Sequence, residues 1–426
     1  MYKIQLKEVW LVESLVYMVY IVIIMLVGLL CSFLSKKVNL PRILLLIIAG
    51  RLLYYVRYNG QRLMIFSNEF VAVIGVFALA MIVFDAASRF RFREIDTFSH
   101  KALRSSVIIL IINIITMAVF TKLIFQLSWF LAVIFATLIS GTSAGAVAFL
   151  KKKTHKVYEM LRIEAMLITP IVVLVPFIFL DIIGIAVLAA HEDISAIIIQ
   201  QVGPFFLQFI IGIGAGLMVG LFMTKFFNKR YSNIVSPIAL MTSILVAYVL
   251  AELLNGNGVL SVCIYGLFYG NIFIKQKMEL REFSGTFAVF LEIIVFILLG
   301  LVLPMPSDVL FVLKAILIFS VYTCIRFIIL NLSFKKHEFT LREKIFMALH
   351  TQKGIAVAAV TLALISYALA HSALLSSTRI ASIQFLDISG SDQVLGLLFL
   401  SILFSVILSI IAIKCSDYFL KVHNSD

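Results

Sequence analysis

The sequence predicts an all-α protein that crosses a lipid bilayer many times. Of its 426 residues, 62% are apolar and only 13% charged, with a mean hydropathy of +1.12. A soluble chain of this size would need far more charge to cover its surface. The apolar residues fall into stretches of roughly twenty, the length at which a helix spans the hydrocarbon. The Lys and Arg residues sit in short clusters between those stretches, as they do in loops facing anionic headgroups and cytoplasm. The formal charge of +13 therefore points to the bilayer as partner and not to nucleic acid.

About thirteen spans are expected. They run Leu15 to Phe33, Leu40 to Val56, Glu69 to Ala87, Leu103 to Phe125, Trp129 to Leu150, Met160 to Ala189 and Pro204 to Phe226. Ser236 to Leu254, Val259 to Ile274, Thr286 to Leu303, Val309 to Leu332, Glu343 to Ala370 and Val394 to Phe419 follow. No small-residue cleavage site follows the first, which reads as a retained span. Basic residues cluster after the odd-numbered spans: Lys36, Lys37 and Arg42; Arg89, Arg91, Arg93 and Lys101; Lys151, Lys152, Lys153 and Lys156. Lys229 and Arg230, then Lys275, Lys277 and Arg281, then Lys335, Lys336, Arg342 and Lys344 continue the pattern. The even loops are expected to carry little positive charge, and the one after the sixth span holds His191, Glu192 and Asp193. The positive-inside rule then puts the N-terminus outside and the C-terminus in the cytoplasm of the cell membrane.

Two spans carry features that an anchor would not need. In the fifth, Ser140-Gly141-Thr142-Ser143-Ala144-Gly145 puts glycines and hydroxyls at mid-membrane. In the twelfth, His350-Thr351-Gln352-Lys353-Gly354 puts a cation, an amide and a glycine there. An unwound helix exposes backbone groups that lipid cannot satisfy, so such breaks belong in protein interiors or wet cavities. Spans seven apart run in opposite directions, as inverted repeats with broken helices meeting at the midplane require.

Other signals are weaker or negative. Cys31, Cys263, Cys324 and Cys415 lack any CxxC spacing, so no disulfide framework or zinc site is implied. Gly141 to Gly145 fits G-x-S-x-G literally, but a nucleophile elbow needs a strand entering the turn, which leaves a serine hydrolase built on Ser143 and His350 as a remote alternative. No nucleotide-binding loop is present.

Several further segments complete the reading: Val38-Asn39-Leu40-Pro41 before Ala49-Gly50, Val83-Phe84-Asp85, Glu164-Ala165-Met166-Leu167-Ile168-Thr169, Phe296 to Gly300, and Gln352 to Ala356. Through these and the Ser140 to Ala144 break, over nearly its whole length, the chain resembles the monovalent cation:proton antiporters, in particular the archaeal-type sodium/proton exchangers. The break is similar to the family's S-x-T-D-P, and Glu164 to Thr169 to its E-S-L-L-N-D. Both customary aspartates are replaced: Ser143 stands in the first motif, and Ile168 and Thr169 stand where the Asn-Asp pair would be.

The resemblance implies a single domain over residues 1–426. Core helices over 103–190 and 309–419 would move against scaffold, dimer-forming helices over 15–87 and 236–303, with 204–226 as linker. It implies exchange of Na⁺ or K⁺ for protons, with no resident cofactor, in the service of pH homeostasis. It also implies a polar contact between Glu164 and Lys353 beside the ion site. A transport-inactive sensor or structural subunit is the alternative suggested by the missing aspartates.

Glu164 also stands out by itself. A carboxylate inside a membrane helix is costly unless paired, protonated or wet. Burial favours its neutral form and a nearby cation its charged form, so it could release a proton as a metal cation arrives. Glu164 is thus the expected titrating ligand of a monovalent cation, with oxygens of Thr142, Ser143 and Thr169 beside it and Lys353, Gln352 and His350 in support. Asp85 reads as a helix-end partner of Arg89 or a cavity-mouth residue. Asp181, after Pro170 and Pro176, reads as an outer-vestibule residue. Glu292 faces a cavity or a polar partner.

Overall fold

The structure, a computed structural model, describes residues 2–38, 40–58, 60–91, 97–142, 155–188, 194–229, 232, 234–272, 277–303, 305–306, 308–334, 338–364 and 390–420. Its helices are α1 (Tyr2–Val38), α2 (Arg42–Tyr55), α3 (Asn68–Ser88), α4 (Thr97–Phe125), α5 (Trp129–Ser140), α6 (His155–Leu188) and α7 (Ile194–Lys229). Then come α8 (Val235–Leu253), α9 (Gly258–Asn271), α10 (Lys277–Val302), α11 (Val309–Ser333) and α12 (Leu341–Leu349), α13 (Ile355–Leu364), α14 (Ser391–Lys414) and α15 (Ser416–Phe419). Among the described residues, nine helices are long and apolar enough to cross a membrane, and α5, α9 and α13 are shorter apolar helices. Helices dominate because lipid offers no partner for a backbone N–H or C=O, so each segment must satisfy its own.

The helices pack as two groups. In one, α4, α5 and α6 touch one another, as do α11, α12 and α14, and the triplets join through α4 on α11, α5 on α14 and α6 on α12. In the other, α2 packs on α1 and α10, α3 on α8, α9 and α10, and α9 on α7 and α8. The groups meet through α3 and α9 against α6 and through α2 against α14.

The second group is held together by glycines that let backbones touch. A Cβ at Gly50 of α2 would collide with the Ile297 carbonyl of α10, and one at Gly300 of α10 with the Ile47 carbonyl of α2. On α7, Gly212, Gly216 and Gly220 lie four residues apart: a Cβ at the first two would meet the carbonyls of Asn257, just before α9, and of Ser261 in α9, and one at Gly220 the side chain of Phe268. Small residues are the usual means of close helix approach in lipid, where dispersion replaces the hydrophobic effect between spans.

The first group contains the early end of α5 and the break in the twelfth span. Ser128 starts α5 by accepting a hydrogen bond from Leu131 N at 3.3 Å, and the helix stops at Ser140, where Gly141 turns extended at φ −65°, ψ 142°. A Cβ on Gly141 would lie 2.8 Å from Val357 Cγ2 of α13 and 3.1 Å from Val172 Cγ1 of α6. A side chain there would hold the end of α5 off both helices. A Thr340–Glu343 capping box opens α12, which ends at His350 (φ −84°, ψ 72°), and α13 resumes five residues later at Ile355. The twelfth span, expected over Glu343 to Ala370 with a break at His350 to Gly354, is two helices separated at that segment, and residues 365–370 lie outside the described residues. The second half of the expected fifth span, from Ser143 on, lies outside the described residues.

Two charge expectations need correction. The loop after α2 is not poor in basic residues: it is a short hairpin of β1 (Arg57–Tyr58) and β2 (Gln61–Arg62) in which Arg57 sits opposite Arg62. Lys344, counted among the basic residues after the eleventh span, lies in α12, is 2% exposed and donates to Asn331 Oδ1 at 3.2 Å and to the Phe334 carbonyl. These oxygens at the end of α11 stabilise an ammonium that burial has taken out of water.

Candidate functional site

The buried charges gather where the two interruptions cross. Glu164 of α6 and Arg326 of α11 are both 0% exposed, and Arg326 grips both carboxylate oxygens, Nη1 to Oε1 at 2.5 Å and Nη2 to Oε2 at 2.7 Å. The guanidinium fork matches the carboxylate edge, the strongest geometry for such a pair. Arg326 Nε also donates to the Met347 carbonyl of α12 at 3.2 Å. One side chain therefore ties α11 to α6 and to the helix leading into the second break.

Lys353 takes a different partner set. Its Nζ donates to the Ile139 carbonyl near the end of α5 and to Tyr322 Oη at 3.0 Å, and it lies 4.3 Å from the Tyr322 ring centroid. Its backbone N–H donates to Ser405 Oγ of α14 at 3.1 Å. The last carbonyls of a helix lack intrahelical partners and carry the negative end of its dipole. An ammonium from one break therefore stabilises the truncated end of the helix broken at the other. Tyr322 and Arg326, one turn apart on α11, share the face that receives Lys353 and Glu164.

The expected Glu164–Lys353 pair is accordingly not the one that forms. Arg326 takes Glu164, and Lys353 goes to neutral oxygens. Glu164 was expected to be the open, titrating ligand, but in this conformation both its oxygens are engaged and it is sealed from solvent. The signal for Arg326 was present in the sequence as a cation in the middle of an apolar span, a residue type rarely kept there without a partner.

The remaining expected site residues are distributed as follows. Thr142 follows the end of α5; its Oγ1 is buried with no hydrogen-bond partner among the described residues. Thr169 donates to the Ala165 carbonyl at 2.6 Å and lies 3.4 Å from the Thr142 carbonyl. Ser143 lies outside the described residues, as does the side chain of Asp181. His350 and Gln352 are buried in the second break, with the His350 ring stacked on Phe346 at 5.5 Å. Asp85 is bonded to Arg89 at 2.9 and 3.0 Å and lies 3.5 Å from Ser284 Oγ of α10. Glu292 is bonded to Arg42 of α2. Both acids lie in the glycine-packed group, away from the crossing.

The description "Sodium/hydrogen exchanger, transmembrane" matches the chain over residues 21–414. The chain belongs to this family. Among its relatives, the K(+)/H(+) antiporter NhaP2 of Shewanella oneidensis is 26% identical over 291 residues, 67% of this chain and 49% of that protein. The chain thus spans about half the length of such relatives. The Probable Na(+)/H(+) antiporter 2 of Methanocaldococcus jannaschii is 21% identical over 304 residues, 67% of this chain and 69% of that one. The fold is that of the sodium proton antiporter MjNhaP1 from the same organism, at pH 8, with a TM-score of 0.72 and 18% identity over 93% of this chain and 99% of that one. The exchanger fold also disposes of the nucleophile-elbow match, since the residues entering Gly141 are helix α5 and not a strand.

Proposed function

We propose that this protein is a secondary transporter exchanging Na⁺ or K⁺ for protons by alternating access. The observation that carries the reading is one contact: Lys353, in the break of the twelfth span, is bonded to the truncated end of α5, inside a chain of the exchanger family. Interrupted membrane helices expose backbone carbonyls and helix ends at depth, and those are the groups that can replace a cation's hydration shell. The cation is taken at the end of α5, by the Thr142 hydroxyl, which has no hydrogen-bond partner among the described residues, the Thr142 carbonyl and Thr169, with Ser143 adjacent in sequence. Glu164 serves there as the fixed partner of Arg326, holding α6 to α11.

In this reading α4 to α6 and α11 to α14 move as a core against a scaffold of α1 to α3 and α8 to α10, with α7 as linker. The scaffold forms a homodimer. The protein lies in the cell membrane with the N-terminus outside and the C-terminus in the cytoplasm, and the ion gradient, with no resident cofactor, drives the cycle. The relatives include a K(+)/H(+) antiporter and a probable Na(+)/H(+) antiporter, which supports either cation as the substrate.

The test is transport by purified protein in vesicles with an imposed pH gradient, read by a pH-sensitive dye as Na⁺, K⁺ or Li⁺ is added. Cation-dependent collapse of the gradient is expected. Its absence with all three would favour the transport-inactive reading, which the replaced aspartates and the closed Glu164–Arg326 pair would then explain.

A further inference from the structure

The hairpin after α2 concentrates positive charge. Leu52 to Ser67 holds Arg57 and Arg62 and no Asp or Glu, and Arg51 stands just before it in α2. Glu69, the next acid along the chain, is an exposed residue in the first turn of α3. Leu63 N donates to the Val56 carbonyl at 3.0 Å, so the neighbouring pair, Arg57 opposite Arg62, is a non-hydrogen-bonded pair. Such pairs set their Cα atoms about 4.5 Å apart with the side chains on one face, closer than in the hydrogen-bonded pairs they alternate with. Like charges facing one another there repel, which destabilises a two-stranded hairpin.

Aromatic rings hold the guanidinium groups in place. Arg62 Cζ lies 4.3 Å and Arg51 Cζ 4.4 Å from the centroid of the Tyr54 ring, and Arg51 Cζ is 5.3 Å from that of Tyr55. Arg51 Nη1 also donates to the Leu303 carbonyl, just after α10, at 3.2 Å. Stacking occupies the face of a guanidinium and leaves its edge donors to point at an acceptor. Arg57 and Arg62 are exposed, and Gly60, at φ 79°, has open space around it at the turn. Beside them Leu52, Tyr55, Val56 and Ile65 are 64%, 61%, 41% and 62% exposed. Tyrosines and apolar side chains so placed at the end of a membrane helix belong at the lipid–water boundary, which is where phospholipid headgroups lie.

From this geometry we propose that the hairpin is a seat for the phosphate of an anionic phospholipid. Arg57 and Arg62 donate to its oxygens, Tyr54 is the platform that holds Arg62, and Arg51 adds charge behind the ring. A phosphate accepts from two guanidinium edges at once and cancels the repulsion between them. The exposed Leu52, Val56 and Ile65 favour a lipid over a free ion, because acyl chains cover them while the headgroup is held. A zwitterionic headgroup brings its own cation to a place that already has three, so an anionic one is preferred. The dipole at the C-terminal end of α2 accounts for Arg51, but it does not account for two arginines set opposite one another across a hairpin. This site is separate from the Lys353 crossing and does not rest on the exchange reading.

The test is lipid retention by the full chain, purified in detergent and delipidated, then given dioleoyl phosphatidylglycerol, dioleoyl phosphatidylcholine or inorganic phosphate. Native mass spectrometry counts bound lipid, and thermal unfolding reads its effect on the fold. Wild type is expected to retain phosphatidylglycerol in preference to phosphatidylcholine and to melt higher with it, with no shift from phosphate. Arg57→Gln/Arg62→Gln should weaken phosphatidylglycerol binding about ten-fold or more. Lys36→Gln/Lys37→Gln, the same loss of charge at the opposite end of α2, should leave it unchanged. Equal retention of the two lipids by wild type overturns the proposal and needs no variant to fold. Undiminished phosphatidylglycerol binding in R57Q/R62Q overturns it, as does an equal loss in K36Q/K37Q. A phosphate shift matching that of the lipid overturns the lipid in favour of a free anion. A lipid-free dimer that separates in R57Q/R62Q overturns it in favour of a second copy of the chain on this face.

Discussion

The two helix groups solve the problem of packing in lipid by opposite means. Around α2, α3, α7, α9 and α10, close contact comes from what is missing: glycines at 50, 212, 216, 220, 266 and 300, where an added Cβ would strike a neighbouring helix. Around α5, α6 and α11 to α14, contact comes from buried polar groups, with Glu164, Arg326, Lys344 and Lys353 each at most 2% exposed. Dispersion between smooth surfaces suits a rigid body, because it is lost as soon as helices separate. Charges and hydroxyls at broken helix ends suit a site, because they are costly to bury and can exchange partners. The difference teaches where to look for moving parts.

The sharpest way to break this contrast is at the closed pair. Glu164→Gln should leave Arg326 buried and unbalanced, costing about 3–5 kcal/mol, read as a lowered midpoint of thermal unfolding in detergent. The double variant Glu164→Gln/Arg326→Met should recover much of that loss. If it does not, the pair is not a unit and the polar group has no tie of this kind.

The next effect tests the glycine side. Gly216→Ala places a methyl against the Ser261 carbonyl and should cost about 1–3 kcal/mol. Gly214→Ala, two residues away with nothing within 4 Å, should be neutral or stabilise by up to about 1 kcal/mol through helix propensity. Equal melting temperatures for the two variants would mean that close backbone approach does not govern the scaffold.

Two smaller effects sharpen the map. Ser405→Ala removes the acceptor of the Lys353 backbone N–H and should cost about 1 kcal/mol, accompanied by faster hydrogen exchange at that amide. Asp85→Asn disrupts a helix-end pair in which Arg89 is 44% exposed and should change stability by no more than about 0.5 kcal/mol. A loss of transport in Asp85→Asn, with unchanged melting, would move that acid from structural pair to cavity mouth.

Much of the architecture could be read from residue order. Both interruptions were visible as glycines and hydroxyls, or a lysine and an amide, within apolar stretches. Glu164 and Arg326 are both charges within apolar spans, where charge is expensive. What could not be read was who pairs with whom. Glu164 and Lys353 are the nearest match by motif, yet α11 brings Arg326 closer, and its planar fork suits the carboxylate better than an ammonium does. Nor could the loop after α2 be judged from its charge alone, because Arg57 and Arg62 fold into a hairpin between two spans.

Hydropathy by itself fixed that the chain crosses the membrane, roughly where, and that helices are the only economical way to do so. It could not fix depth within the bundle. Helices α1 and α14 have nearly equal hydropathies, 2.7 and 2.9, yet 17% of the one span and 67% of the other are buried inside the protein. Lipid tails and a protein interior are equally apolar, so a sequence records that a side chain leaves water but not which of the two receives it. That choice, and with it the pairing of Arg326 with Glu164 and of Lys353 with the end of α5, belongs to the tertiary structure, because only packing brings residues 139, 164, 326 and 353 to one point.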